Sequence, residues 1–172
     1  MIADPLADRP REEVPYPWLD GKLAYASGLT LDTAKKMLDA AEADAKRQGV
    51  AVTIAISDSG GNLVALRRMD FAPLFSIQIA TNKSITSVFG KLPSQYWQGV
   101  FTSGVLPCLP FHDKWSAFGG GFPLIRQDQL FGGVGVSGGV LANDLGVAHA
   151  ALLAGGFDHR EVEAAIEQAL TN

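Results

Sequence analysis

The chain has 172 residues, 47% hydrophobic and 19% charged, the balance of one globular domain able to bury about 70% of its unfolded surface and not of a disordered chain. A net charge of −4 argues against nucleic acid, whose phosphates need a concentrated basic face, and no run of about 18 apolar residues is present to span a membrane. The single Cys108 makes neither an internal disulfide nor a cysteine-rich metal site, and the opening MIADPLADRPREEVPYPWLDG lacks the apolar core of a signal peptide, so a cytoplasmic protein is expected.

Residues 1–28 hold four of the nine prolines, at 5, 10, 15 and 17, together with Tyr16, Trp18 and Tyr25. Proline fixes φ and removes donors, so an extended arm is expected, and its aromatics suit packing on a neighbouring subunit. The remaining residues, 29–172, read as one domain. TLDTAKKMLDAAEADAKRQG predicts a helix with Leu31, Ala34, Leu38, Ala41 and Ala45 on one stripe, Thr30 as its cap and Gly49 at its end. Val50, Val52, Ile54 and Ile56 then alternate as a strand with one face in the core. The turn DSGG leads into a second strand, NLVALRRM, which makes a hairpin.

Pro73 suits the start of a helix to Gly90, with Ile77, Ala80, Ser84 and Val88 on one face. A shorter helix begins at Pro93, and residues 104–118 read as a loop. GGGFPLIRQDQLFGGVGVSGG gives two more strands about a polar turn at Gln127 to Gln129. Pro123 removes a ladder donor and places its strand at an edge or a bulge. Helices over about 142–154 and 158–170 follow, the last with Asp158 and Glu161 spaced as a capping box. Strands joined by tight turns are antiparallel, so the fold class is α+β.

The stretch Gly133 to Gly138, GVGVSG, has the G-x-G-x-x-G spacing of a dinucleotide-binding turn. Only fourteen residues follow Asp158, however, and they look helical, so no second parallel strand is available and the dinucleotide reading fails. Written as a strand, the segment points Phe131, Gly133, Gly135 and Ser137 one way and Leu130, Gly132, Val134 and Val136 the other. The first face is nearly bare, which lets a backbone, a helix or a flat ligand come close.

D-x-G-G-x-L-V at Asp58 to Val64, Arg-Met-Asp at Arg68 to Asp70, G-G-x-P-L at Gly120 to Leu124 and G-V-S-G-G at Gly135 to Gly139 occur together. This set resembles the GlcG/HbpS-like family of small haem-binding or haem-degrading proteins, which includes the C-terminal domain of PduO-type cobalamin adenosyltransferases. The resemblance covers about residues 29–155. It implies a profilin-like antiparallel sheet of about five strands flanked by helices, assembly into a homo-oligomer, and in some members haem.

His112, in PFHDKW beside Asp113, is the candidate haem-iron ligand or general base. Lys83 is the candidate anchor for a carboxylate or propionate, with Arg67, Arg68 and Arg126 as helpers. Phe122, Gly133, Gly135 and Ser137 complete the candidate ligand-binding set. His149 reads as a core or interface residue and His159 as solvated. Asp58 reads as a turn residue and Cys108 as a weak thiolate candidate, one residue off a Cys-Pro haem motif. No spacing for a dedicated zinc site exists. Three functions stay open: a small-molecule-binding oligomer holding haem or another planar anion; a cofactor-independent catabolic enzyme moving a proton on a small carbonyl or carboxylate substrate with His112 and Lys83; or a non-catalytic accessory subunit.

Overall fold

The computed structural model describes residues 28–97, 113–116, 118–127 and 129–157. The elements run α1 (Leu31–Gln48), β1 (Thr53–Asp58), β2 (Leu63–Arg68), α2 (Ser76–Gly90), β3 (Gly121–Arg126), β4 (Gln129–Ser137) and α3 (Leu141–Ala154). Residues 94–97 are also helical. The N-terminal arm through residue 27, residues 98–112 with His112 and Cys108, and the expected 158–170 helix with His159 lie outside the described residues.

Local chemistry sets the ends of α1. Thr30 accepts from the Thr33 amide, and Gly49 closes the helix in the left-handed region, which glycine enters without a Cβ penalty. Ala34, Leu38, Ala41 and Ala45 are buried as the stripe requires, joined by Met37, while Leu31 at the helix start is exposed. The Asp58 carboxylate accepts from the amides of Gly60 and Asn62, both at 2.9 Å, and shapes the hairpin turn.

Two hairpins, β1–β2 and β3–β4, join through β1 and β4 into one antiparallel sheet of order β2-β1-β4-β3. The α+β class holds, with four strands among the described residues where about five were expected. Pro123 lies on β3, opposite Gly133 and at the edge of the sheet among the described residues. The GVGVSG stretch is β4 itself, paired antiparallel on both sides, and no dinucleotide turn forms there.

The sheet is covered on both faces. Ile54, Ile56, Phe122, Leu124, Val134 and Val136 pack with Met37, Leu38, Val147 and Leu152 in the main core, against α1 and α3. On the other face, α2 lies against Thr53, Ser57, Gly133 and Gly135 through Ser76, Ala80 and Ser84. Strand β1 is therefore buried on both faces, not one, because its small and polar positions also have a helix over them. The alternation along β4 breaks once. Leu124 pairs with Gly132 and Ile125 with Leu130, leaving Phe131 as the extra residue of a bulge. Phe131 thereby reaches the Val134 side of the sheet, where it packs on the main core and on Phe157, opposite to its expected face.

Candidate functional site

At one end of the sheet β1 and β3 begin and β2 and β4 finish, since Thr53 pairs with both Arg68 and Ser137, and Gly121 pairs with Gly135. A cavity of about 350 Å³ opens there, lined by residues including Ile79, Lys83, Phe118, Ser137, Leu141 and Asp144. Its volume falls at the lower end of the range for small-molecule sites, and its walls are mainly apolar.

Lys83 and Asp144 supply the charge. Lys83 reaches from α2 to the end of β4, donating to the Val136 carbonyl at 2.7 Å and to Asp144 Oδ2 at 2.8 Å. Asp144, in the first turn of α3, also accepts from the Gly139 amide at 3.0 Å through Oδ1. Both side chains are almost wholly buried. Burial pushes Lys83 below the ordinary ammonium range and Asp144 above the ordinary carboxylate range, outweighing their mutual hydrogen bond and attraction.

This arrangement sorts the residues expected from sequence. Lys83 and Ser137 meet at the cavity. Phe122 pairs with Val134 and packs in the core beneath α1 and α3, and it is not among the described residues that line the cavity. The bare face at Gly133 and Gly135 is taken by the chain's own helix. A Cβ on Gly135 would fall inside contact of the Ala80 carbonyl oxygen, and one on Gly133 would meet the Ser84 oxygen. A flat ligand has no room at those two glycines, and the open space lies beyond them, at Ser137. Arg67 pairs instead with Asp39 and Glu42 of α1, each at 2.8 Å, and Arg126 stacks on Phe131 and Phe157. Neither assists Lys83. His149 is half-buried on α3. Asp113, which follows His112, gives its carbonyl to Asn82, the residue before Lys83.

Sequence reasoning missed Asp144, Ile79, Phe118 and Leu141. Asp144 offered one signal, an acidic residue in a helix's first turn just past a glycine pair. Nothing in the spacing joined it to Lys83.

The described lining fits part of a haem. Ile79, Phe118 and Leu141 offer apolar surface to a planar ring. None of the lining residues named is a histidine, cysteine, methionine or tyrosine, the side chains that hold haem iron.

Comparison with known proteins agrees with this fold. Residues 29–153 match the family model described as haem degrading protein HbpS-like. An uncharacterized 15.0 kDa protein from the dhaT-dhaS intergenic region of Citrobacter freundii is 35% identical over 133 residues, covering 72% of this chain and 89% of that protein. Protein GlcG of Escherichia coli K12 is 30% identical, covering 63% of this chain and 81% of GlcG. Among solved structures, the PduOC:haem complex superposes with a TM-score of 0.69 at 30% identity, covering 73% of this chain and 94% of that one. With its two hairpins, flanking helices and glycine-rich β4, the chain belongs to the HbpS-like family.

Proposed function

We propose that this chain is a cytoplasmic, homo-oligomeric small-molecule-binding protein. Its ligand class is haem or another planar molecule with anionic substituents, and His112 is the iron ligand. The observation that carries this reading is the apolar cavity at the sheet end, in a chain whose fold matches a protein solved with haem. Lys83 takes a different part from that of a propionate anchor. Its charge is already balanced by Asp144, and an incoming carboxylate would meet the Asp144 oxygens. The uncharged body of the ligand faces the pair, and its anionic groups stay at the mouth.

Titration with haemin is expected to give a Soret band, which His112→Ala weakens or shifts. Ile79→Glu, which places a carboxylate in the apolar wall, should weaken binding at least tenfold with the fold intact by circular dichroism. A wild type that gives no band, or an Ile79→Glu chain that binds as well as wild type, overturns the reading.

One observation favours a second reading, a cofactor-independent enzyme. A lysine and an aspartate, both pushed toward neutrality, share a cavity wall, a common arrangement for acid–base pairs. A neutral Lys83 amine would take a proton from the carbon beside a substrate carbonyl. The Asp144 carboxyl would give its proton to the carbonyl oxygen, leaving the enol. Deuterium exchange into small ketones or keto acids, lost in Lys83→Met, tests it; no exchange with wild type rejects it.

A further inference from the structure

Every other lysine among the described residues is exposed, but Lys83 is buried with its ammonium against Asp144. A buried ion pair is often no more stabilising than apolar side chains of the same shape, so packing alone gives no reason for a lysine at this place on α2. Its position gives one. Lys83 and Asp144 line the cavity at the sheet end together with Ile79, Phe118, Leu141 and Ser137. An ammonium carries three donors. The Val136 carbonyl and Asp144 Oδ2 take two, and the third has no partner among the described residues.

Nζ of Lys83 and Oδ2 of Asp144 lie 2.8 Å apart, so a proton passes directly from one to the other. That transfer leaves an amine beside a carboxyl group and changes no net charge, so no counter-ion has to enter. Burial lowers Lys83 and raises Asp144, both in the direction of the transfer. An amine in an apolar cavity, with an acid at hydrogen-bond distance, has what is needed to capture a carbonyl compound covalently.

We propose that Lys83 is a covalent carbonyl-binding residue: its Nζ forms a Schiff base with a small uncharged aldehyde held against Ile79, Phe118 and Leu141, and Asp144 supplies the proton that releases water. The amine adds to the aldehyde carbon, and the carbonyl oxygen takes the Asp144 proton. Asp144 then recovers a proton from the new C–N nitrogen, giving a neutral carbinolamine. When Asp144 passes that proton to the hydroxyl, the C–O bond breaks and water leaves as the C=N bond forms. The product is an iminium beside an Asp144 carboxylate, so the buried charges balance at the end as at the start. No oxidant or reductant is required.

The lining sets the ligand class. Ile79 lies one turn before Lys83 on α2, so a ligand with its carbonyl at the amine lays its body along Ile79. No other cationic side chain lines the cavity among the described residues, and Asp144 already balances Lys83, which disfavours a keto acid. An aldehyde, with one substituent on its reacting carbon, suits a crowded amine better than a ketone. The site rests on the acid–base reading above only for its free amine, and not for the enol.

The test treats the full chain at neutral pH with butanal and cyanoborohydride, which reduces the iminium to a stable butyl-lysine located by peptide mass spectrometry. Lys83 should be labelled at least tenfold faster than the exposed Lys36 and Lys91. A purely structural ion pair predicts the reverse order, with Lys83 last. Asp144→Asn keeps the side-chain shape without a proton to give, and should slow labelling at Lys83 at least tenfold while Lys36 and Lys91 stay unchanged. Ile79→Trp, which fills the cavity from a half-buried position, should do the same and serves where Asp144→Asn does not fold. Pyruvate should label Lys83 at least tenfold more slowly than butanal. A wild-type Lys83 labelled no faster than Lys36 overturns the proposal. So does either variant, folded by circular dichroism, that is labelled as fast as wild type, and equal labelling by pyruvate overturns the uncharged class. Deuterium exchange into ketones without labelling at Lys83 removes the Schiff base and leaves the enol reading. Labelling at Lys83 without exchange leaves the covalent site and removes the enol.

Discussion

Lys83 and Asp144 form a nearly dry ion pair with two backbone partners, the Val136 carbonyl and the Gly139 amide. Breaking such a pair costs more than removing it, because the partner left behind is a buried, uncompensated charge. Lys83→Met should therefore lower unfolding free energy by about 3–5 kcal/mol in urea denaturation. The double change Lys83→Met with Asp144→Leu should recover most of that loss. Additive losses would show that each residue acts through separate packing. The pair also fixes a pH dependence. Asp144 is raised, so the folded chain holds more protons than the unfolded one between the ordinary carboxylate pKa and the raised value, and stability falls as pH rises through that window. Lys83 is lowered, so the folded chain holds fewer protons between the lowered value and the ordinary ammonium pKa, and stability rises with pH there. Relative to the double variant, wild type should be least stable between the two windows and should gain on either side. A difference that stays flat with pH would place the pair's ionisation outside the folding equilibrium.

At the level of elements, β4 and α2 explain one another. The carbonyl oxygens of Ala80 and Ser84 lie where side chains at Gly135 and Gly133 would be, so the helix axis can approach only because the strand is bare. Gly135→Ala should overpack this contact and destabilise the chain by about 3 kcal/mol or more. Gly49→Ala, with open space around the added methyl at φ 70, should lose only about 1–2 kcal/mol through backbone strain. Equal losses in thermal or urea melts would mean that α2 shifts freely on the sheet.

The same contact marks what the sequence could and could not reveal. Apolar periodicity exposed the α1 stripe, turn residues the hairpin order and a missing ladder donor the position of Pro123, since each depends on neighbours within one element or turn. The second buried face of β1 stayed hidden because Thr53 and Ser57 are polar, and they are satisfied only by Ser76 and Ser84, over twenty residues away. The bulge that turns Phe131 into the main core leaves no mark on the apolar alternation. The link between Asp144 and Lys83 stayed hidden for the same reason of distance, since 61 residues separate them. The bare ribbon was legible as a place of close approach, and topology alone decided that a helix occupies it.

The whole molecule is built on two unequal layers. The layer between the sheet and α1 with α3 buries Met37, Leu38, Ile54, Ile56, Leu124, Val134, Val136 and Leu152. The layer under α2 is held by Ala80, Ile85 and Val88, by bare glycines and by a seam of hydroxyls, Thr53 with Ser76 and Ser57 with Ser84. Apolar burial stabilises by about 25 cal/mol per Å², whereas a hydroxyl pair contributes only about 1 kcal/mol after its lost water contacts. The α2 layer should therefore open before the rest. Native-state hydrogen exchange in rising urea should show amides of Ala80 to Val88 joining a unit of lower free energy than those of Ile54, Val134 and Val136. Because Ile79 and Lys83 ride on α2, that partial opening would also widen the cavity, so a ligand held there should raise the α2 unit toward the global value. If the α2 amides instead exchange only with the central strands, the two layers unfold as one body and the cavity is shaped by a rigid wall.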